Sequence, residues 1–258
     1  MTDQSPDHVS PDKDITFKGY FNGVINGSVI YSWTTSPALA NAMMTYQLDD
    51  TFIIYKGALT PGAQYSVILT IKSMYGSSSF VQDIFVNTRP IPGPILFTPN
   101  TGQAVITSIQ ISTADWTNYY PPLKYQFGFY KALNDVGNPE KLTILKEMST
   151  SSVAIAKFPS LGSSDTYIVS VIVEDFYGTR AEKTQNLTLD PLVFSSWVEL
   201  AEEIASLIQN SYSLETNVVS DLSLCASLIS HQPTANMTDA DLASQRFAVS
   251  FSIQSNFP

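Results

Sequence analysis

Short stretches in which apolar and polar residues alternate fill most of this 258-residue chain. The clearest is Tyr65–Ile71, where every odd-numbered residue is apolar, as expected for a strand that buries one face. Turn-forming pairs such as Asn22-Gly23 and Pro61-Gly62 separate the stretches. The pattern predicts short antiparallel strands over Ile15–Phe21, Val29–Thr34, Met44–Gln47, Phe52–Lys56, Tyr65–Ser73, Val81–Asn87, Ile95–Thr98, Val105–Ser112, Lys124–Lys131, Leu142–Glu147, Ser152–Phe158, Tyr167–Asp175 and Thr184–Leu189.

The strongest strand pattern occurs twice, about a hundred residues apart. A tyrosine begins each copy, three apolar residues follow at alternate positions, and a leucine lies six residues before each tyrosine. A repeat of roughly 100 residues has the length of one antiparallel β-sandwich, so the chain is predicted to hold two in tandem. The matching positions are Leu59, Tyr65, Val67, Leu69, Ile71, Tyr75 and Gly76 in the first copy, and Leu161, Tyr167, Val169, Val171, Val173, Tyr177 and Gly178 in the second.

Composition along the chain predicts the domain limits. The polar residues 1–13 are expected to be a disordered tail, and residues 14–89 form the first sandwich. Residues 90–94 contain three prolines, which fix φ and remove backbone donors, so they form a stiff junction. The second sandwich covers 95–191, and 192–258 form a short helical segment of a further domain that this chain does not complete.

The helical segment is predicted from a change of period after Pro191. Ser196 and Glu199 have the spacing of a capping box. Trp197, Ile204 and Ile208 follow at helical spacing, so a helix over 196–208 would carry an apolar stripe that needs a docking partner. Cys225 lies on a second apolar helical stripe and is expected to be a buried, inert thiol.

Charge and cysteine content narrow the function classes. The formal net charge is −10, and charged residues make up 14% of the chain. With no run of Lys or Arg, binding to nucleic acid is not expected. One cysteine permits no internal disulfide. The low charge and the many Ser and Thr residues fit a secreted or cell-surface sandwich protein. Because no leader or membrane span is recognisable, we expect such a protein to be longer than this chain.

No constellation of catalytic or metal-binding residues stands out. The histidines are His8 and His231, and no Gly-x-Ser-x-Gly elbow accompanies them. Glu174 and Asp175 are adjacent in a predicted strand and therefore point to opposite faces. The junction has no acid with which to bind calcium. We predict no catalytic, cofactor or metal residues, and a protein that is not an enzyme.

Two kinds of surface site are candidates. Tyr119 and Tyr120, in the sequence Trp116-Thr-Asn-Tyr-Tyr-Pro-Pro, could stack on a sugar ring of a ligand. The alternative is that Trp116 lies in the core and the two tyrosines pack the loop. N-glycosylation sequons occur at Asn26, Asn186 and Asn236.

The residues around Tyr65 resemble a known family. The pattern Leu-x-Pro-Gly-x-x-Tyr-x-Val from Leu59 to Val67 is similar to the corner of fibronectin type III domains, where the tyrosine hydroxyl bonds back to the preceding loop. Leu161 to Val169 keeps the Leu, Tyr and Val without the Pro-Gly pair. The resemblance implies a mainly β fold of two tandem immunoglobulin- or fibronectin III-like sandwiches.

A longer pattern resembles the receptor-for-egg-jelly (REJ) region of polycystin-family proteins. The resemblance covers about Trp33 to Leu189 and implies a run of fibronectin III-like sandwiches. Paired family cysteines would fall at Ile95 and Thr113, so this chain is similar to a divergent, protist-like member that lacks them. The pattern is carried by Gly93, Pro99, Gly102, Ala104, Thr107, Ile109, Ile111, Trp116, Pro122, Leu123, Tyr125 and Phe127.

The resemblance implies a non-enzymatic, extracellular glycoprotein segment that acts in adhesion or receives a protein or glycan ligand. It would belong to a larger surface protein, and the ciliary membrane is one location that the family suggests. Two alternatives stay open: a subunit of a stable assembly that docks through the helical segment, and a carbohydrate-binding ancillary module of a hydrolase.

Overall fold

The computed structural model of this chain describes residues 7–21, 28–40, 50–161 and 165–191. This part of the protein is mainly β, with short 3-10 turns at Leu133–Asp135 and Pro139–Lys141. Its strands are β1 (Asp7–Val9), β2 (Ile15–Lys18), β3 (Ile30–Ser36), β4 (Thr51–Ile54), β5 (Gln64–Ser73), β6 (Gly76–Val86), β7 (Ile95–Thr98), β8 (Ile109–Thr113), β9 (Lys124–Tyr130), β10 (Thr143–Ser149), β11 (Val153–Ala156), β12 (Asp165–Glu174) and β13 (Arg180–Leu189).

The first six strands form two sheets. Four strands lie in the order β1-β6-β5-β3, and β2 pairs with β4 in a smaller sheet. β5 is the antiparallel neighbour of both β3 and β6, while β1 joins the edge of β6 in parallel. The apolar positions of β5 that the sequence predicted to be buried, with Trp33 and Phe52, form the core of this sandwich. The Trp33 and Phe52 rings stack 5.4 Å apart, and they come from different sheets.

The later strands form the second pair of sheets. Their orders are β10-β9-β12-β13 and β11-β8-β7. β12 buries nearly its whole length, unlike β5, whose outward positions are half-exposed. The buried side chains of these strands include Ile95, Ile109, Ile111, Phe127, Phe129, Tyr167, Val169, Val171 and Val173.

Both repeated tyrosines form the predicted corner. The Tyr65 hydroxyl lies 3.3 Å from the backbone nitrogen of Thr60, which donates to it. The Tyr167 hydroxyl donates to the carbonyl oxygen of Pro159. Beside Tyr167, the buried carboxylate of Asp165 accepts hydrogen bonds from the Ser160 hydroxyl and from the backbone nitrogen of Leu161. The second copy therefore closes its corner without a Pro-Gly pair.

The prediction of a disordered tail is wrong for residues 7–13. β1 pairs with the end of β6, with His8 opposite Phe85, and Ser10 is buried. β6, a parallel partner far along the chain, supplies the backbone hydrogen bonds that a short polar segment cannot form within itself. Residues 1–6 lie outside the described part of the chain.

The strand predicted over Val105–Ser112 begins only at Ile109. Val105 has a φ of 69°, which a strand does not tolerate, and its nitrogen donates to the carbonyl of Phe158. Gly102 (φ 156°) packs so tightly against the Thr107 side chain that an added Cβ would lie 2.5 Å from the Thr107 hydroxyl. Val105 and Ile106, which the apolar pattern assigned to a strand, therefore lie in a turn.

The chain forms two compact units. Unit 1 contains Met1–Gly93 together with Asp115–Tyr125 and Ile172–Lys183, and unit 2 contains Pro94–Ala114, Gln126–Val171 and Thr184–Pro258. Two segments that the sequence assigned to the second sandwich thus pack in unit 1. The predicted strand Met44–Gln47 and the predicted helical segment 192–258 lie outside the described residues, and the predicted domain limits stay a prediction.

The positions of the absent family cysteines face each other. Ile95 and Thr113 are paired across β7 and β8, and both side chains are buried. The nitrogen of Thr113 donates to Ser152 on the far side of β8, so the pair is a non-hydrogen-bonded one, with Cα atoms about 4.5 Å apart. That distance permits a disulfide.

We therefore expect the variant Ile95→Cys/Thr113→Cys, in a Cys225→Ser background, to form a disulfide on mild oxidation. The oxidised form should gain about 2–4 kcal/mol in unfolding free energy over its own reduced form, measured by denaturant unfolding. The control pair Ile95→Cys/Ile111→Cys is diagonal, with Cα atoms about 7–8 Å apart, and should stay reduced. Equal oxidation of both pairs would contradict the register.

A second prediction concerns alkaline stability. Burial, with the nearby Asp165 carboxylate, raises the pKa of the Tyr167 hydroxyl above its ordinary value of 10.0. Above pH 10 the unfolded chain loses this proton while the folded chain keeps it, so the unfolding free energy falls as the pH rises. Tyr167→Phe should cost about 1 kcal/mol at pH 7, and this deficit should shrink as the pH rises above 10. Denaturant unfolding between pH 7 and 11.5 measures both, with Tyr119→Phe as the exposed-ring control. A deficit that does not change with pH would contradict this prediction.

Candidate ligand-binding surface

Five aromatic side chains of unit 1 form a cluster around Tyr120, which we call the aromatic cluster: His8, Phe85, Tyr120, Phe176 and Tyr177. The Tyr120 ring lies 5.0 Å from the His8 ring and 5.2 Å from that of Tyr177, the latter in a T-shaped contact. His8 also contacts Phe85 at 5.2 Å. Edge-to-face and tilted contacts at these distances are favourable.

The two neighbouring tyrosines of the predicted stacking site differ in their surroundings. The Tyr119 side chain is 84% exposed, whereas Tyr120 is half-buried in the aromatic cluster. Phe176, whose ring contacts Tyr177 at 5.2 Å, is 67% exposed. Trp116 is buried, as the alternative interpretation predicted. Tyr119 and Phe176 are therefore the rings that this surface presents to solvent, while Tyr120 supports it.

Hydrogen bonds hold the loops that carry these rings. The Asn118 side chain accepts from the nitrogen of Tyr120 at 2.7 Å and donates to the Asp175 carboxylate at 3.3 Å. Asp175 is buried, and it also accepts from the nitrogen of Thr179 at 2.8 Å. The nitrogen of Phe176 donates to the carbonyl of Tyr120. Asp175 thus caps a turn and does not form an acid pair with Glu174, which instead binds Arg180 at 2.7 Å.

Asp12 joins three segments of unit 1. Its carboxylate accepts two hydrogen bonds from the Arg89 guanidinium, at 2.7 and 3.1 Å, and a third from the nitrogen of Arg180 at 2.8 Å. Arg89 also donates to the carbonyl of Arg180 at 2.6 Å. A bidentate pair of this kind has a defined geometry, and here it also satisfies backbone groups.

Gly178 permits the close approach of Lys13 to the same loop. The Lys13 ammonium donates to the carbonyl of Tyr177 at 3.0 Å. A Cβ on Gly178 would lie 2.1 Å from the Lys13 nitrogen, and the glycine has a φ of 87°. Glycine meets both conditions here. It has no Cβ to clash with Lys13, and it adopts a positive φ that residues with a side chain rarely adopt.

The remaining predicted site residues are separate from the aromatic cluster. Asn186 lies exposed on β13, and the Thr188 hydroxyl of its sequon is 3.2 Å from that of Thr166. Asn26 and Asn236 fall outside the described residues, as do His231 and Cys225. Within the described ranges, no three His, Cys, Asp or Glu side chains could together hold a metal ion.

Comparison with protein families gives one match. The model of the REJ domain family matches residues 23–223, which is more than half of the chain. No curated protein matches. In the part of the chain that the structure covers, no helix is long and apolar enough to span a membrane.

Three solved structures that resemble this chain do so at low identity and low TM-score. A SusE-like surface-located polysaccharide-binding protein from the Bacteroides thetaiotaomicron heparin utilisation locus is 16% identical, with a TM-score of 0.31, over 72% of this chain and 33% of that one. The N-terminal eight Ig domains of the Down Syndrome Cell Adhesion Molecule are 14% identical, with a TM-score of 0.33, over 72% of this chain and 23% of that one. The FN1-FN3 domains of chicken CNTN1 are 11% identical, with a TM-score of 0.36, over 72% of this chain and 68% of that one. The chain spans a third or less of the first two proteins, and at these TM-scores none of the three bears on its function.

The different surroundings of Tyr119 and Tyr120 predict different mutational effects. Tyr120→Ala removes the ring contacts to His8 and Tyr177 and should lower the unfolding free energy by about 1–3 kcal/mol. Tyr119→Ala removes an exposed ring and should change it by less than about 0.5 kcal/mol. Thermal and denaturant unfolding measure the difference. Equal losses in the two variants would contradict the aromatic cluster.

Proposed function

Because the chain belongs to the REJ domain family, we propose that it is a non-enzymatic, extracellular segment of a larger surface protein that receives a protein or glycan ligand. The family match over residues 23–223 carries this proposal. The REJ domain is an extracellular, receptor-like ectodomain type, and modules of this type are non-enzymatic. A polycystin-like protein of the ciliary membrane is the setting that the sequence resemblance suggests.

The architecture supports a receiving role. Sandwich sheets provide a rigid scaffold, and binding residues of such proteins are commonly carried by the loops at the ends of the sheets. In unit 1, the loops that carry Tyr119 and Phe176 are tied down by Asn118 and Asp175. Exposed aromatic rings on ordered loops lose little conformational entropy when a ligand packs on them.

The surface chemistry also supports an extracellular location. The sequon asparagine Asn186 is exposed on β13 in the sequence Asn-Leu-Thr, so its side-chain amide is accessible for N-glycosylation. We therefore include N-glycosylation at Asn186 in the proposal. The predicted sites Asn26 and Asn236 remain proposals on the sequence alone.

The test uses protein from its native source. Surface biotinylation of intact cells should label the protein, and peptide N-glycosidase should increase its gel mobility. Asn186→Gln, expressed in the same cells, should remove one step of this shift. Thr188→Ser keeps the sequon and should keep the step, whereas the isosteric Thr188→Val should lose it.

An unlabelled protein in the cytosolic fraction, with no shift in mobility, would overturn the extracellular proposal. A labelled protein whose shift is unaffected by Asn186→Gln would leave the location standing and remove Asn186 as a site. Catalytic turnover by the purified chain would contradict the non-enzymatic part.

A further inference from the structure

A cleft of about 640 Å³ opens in unit 1 beside the β5-β6 hairpin, away from the aromatic cluster. It lies between the first residues of β6 and the segment that follows β2. We call it the β6 cleft and define it by the six lining residues that bear on its chemistry, which are Lys18, Tyr20, Ser73, Tyr75, Ser78 and Phe80. Its volume is in the range of pockets that take small ligands.

The register of the sheet explains why the cleft exists. Phe80 lies opposite Leu69, and Ser78 lies opposite Ile71, so both point to the face of the sheet that carries the core. Leu69 is buried, yet Phe80 on the same face is 62% exposed and Ser78 is exposed as well. In the first part of β6, which β1 does not reach, core-facing positions thus form a wall of an open cleft.

The walls of the cleft are aromatic. Tyr20 is 75% exposed, Tyr75 72% and Phe80 62%, and Phe21, which also lines the cleft, is 40% exposed. Four large rings left in solvent around one concavity lose the burial that such side chains normally gain. Isolated exposed aromatic residues need no explanation, but a contiguous set in a cleft indicates a binding surface.

The other lining groups are hydroxyls and a single cation. Ser73 lies at the base of the hairpin, where its hydroxyl accepts from the nitrogen of Tyr75 at 3.2 Å, and Ser77, Ser78 and Ser79 add further hydroxyls. The Lys18 ammonium lies 5.7 Å from the centre of the Tyr20 ring. Among the residues that the structure describes, no Asp or Glu lines the cleft, although the chain has a formal net charge of −10.

We propose that the β6 cleft binds a short acidic oligosaccharide, whose sugar rings pack on Tyr20, Tyr75 and Phe80 and whose carboxylate or sulfate group meets Lys18. The proposal rests on the proposed function, because it names a ligand class and a site for the receiving role. Aromatic faces pack against the apolar C–H faces of sugar rings, and serine hydroxyls replace the water around sugar hydroxyls.

The alternatives fit the cleft less well. A purely apolar ligand would leave the serine hydroxyls and Lys18 without partners, which is unfavourable once they are dehydrated. An extended peptide would be expected to pair with the backbone along the edge of β6, and it would not require the ring of Tyr20 on the opposite wall. Lys18 is the charged group that favours an acidic sugar over a neutral one.

The experiment is binding of the purified chain to an array of defined oligosaccharides, with neutral members and members that carry uronate, sialyl or sulfate groups. Acidic tetrasaccharides should bind, and their neutral counterparts should bind at least about tenfold more weakly. Titration calorimetry with the best acidic tetrasaccharide then gives the affinity. The affinity should fall as the salt concentration rises, because the Lys18 contact is an ion pair near the surface.

Matched variants locate the site. Tyr75→Ser and Tyr20→Ser should each weaken binding about tenfold or more, and Lys18→Gln should remove the preference for the acidic sugar. Met74→Ser is the control, since Met74 lies in the same hairpin turn with 73% exposure and does not line the cleft. All these side chains are exposed, so the variants should unfold at the temperature of the wild-type chain.

Several results would overturn the proposal: an array without bound sugar, binding of neutral sugars alone, binding that Tyr20→Ser and Tyr75→Ser leave intact, or equal loss in Met74→Ser. An array without bound sugar, for a protein that is biotinylated on intact cells, would remove the cleft ligand and leave the proposed function. A cytosolic, unglycosylated protein would remove the proposed function whatever the array shows.

Discussion

The Asp12 carboxylate is the group on which the arrangement of unit 1 most depends. It accepts from the Arg89 guanidinium and from the backbone nitrogen of Arg180, and Arg89 binds the Arg180 carbonyl in turn. An exposed ion pair alone contributes little, and the Arg89 side chain is 48% exposed. The Asp12–Arg89 pair matters for its geometry, because it fixes the start of β13 beside the segment after β1. β1, which directly precedes that segment, supplies His8 to the aromatic cluster, and the 172–183 segment supplies Tyr177.

Local pattern predicted the strands whose burial follows strict alternation. β5 was predictable because Tyr65, Val67 and Leu69 fill one face of a sheet, and the corner followed from the repeat at Tyr167. The turn at Gly102–Thr107 was not, because its Ala104 and Val105 are apolar and buried yet belong to a turn. The apolar character of a residue predicts that it is buried, but it does not predict its backbone φ. The backbone conformation there is set by packing of Gly102 on Thr107, which alternation does not encode.

The candidate surfaces were less predictable than the core, for a related reason. Tyr119 and Tyr120 are chemically identical neighbours, and only the tertiary partners His8 and Tyr177 separate a supporting ring from an exposed one. His8 itself lies in a polar segment, in which Val9 is the one apolar residue that could indicate a buried strand. Its position comes from pairing with Phe85, a contact that no local periodicity can reveal. Long-range pairing therefore determined both the ordered N-terminal strand and the aromatic cluster.

The two surfaces differ in how far they violate the rules that shape the rest of the fold. In the aromatic cluster, most rings obey those rules, since His8, Tyr120 and Tyr177 are packed on one another. In the β6 cleft, Phe80 occupies a core-facing position and remains exposed, with Tyr20 and Tyr75 around it. Sequences that specify one structure usually break such rules where a binding partner compensates for the exposure. By that argument the β6 cleft is the more informative of the two surfaces, because the packing of the described residues does not account for the exposure of its rings.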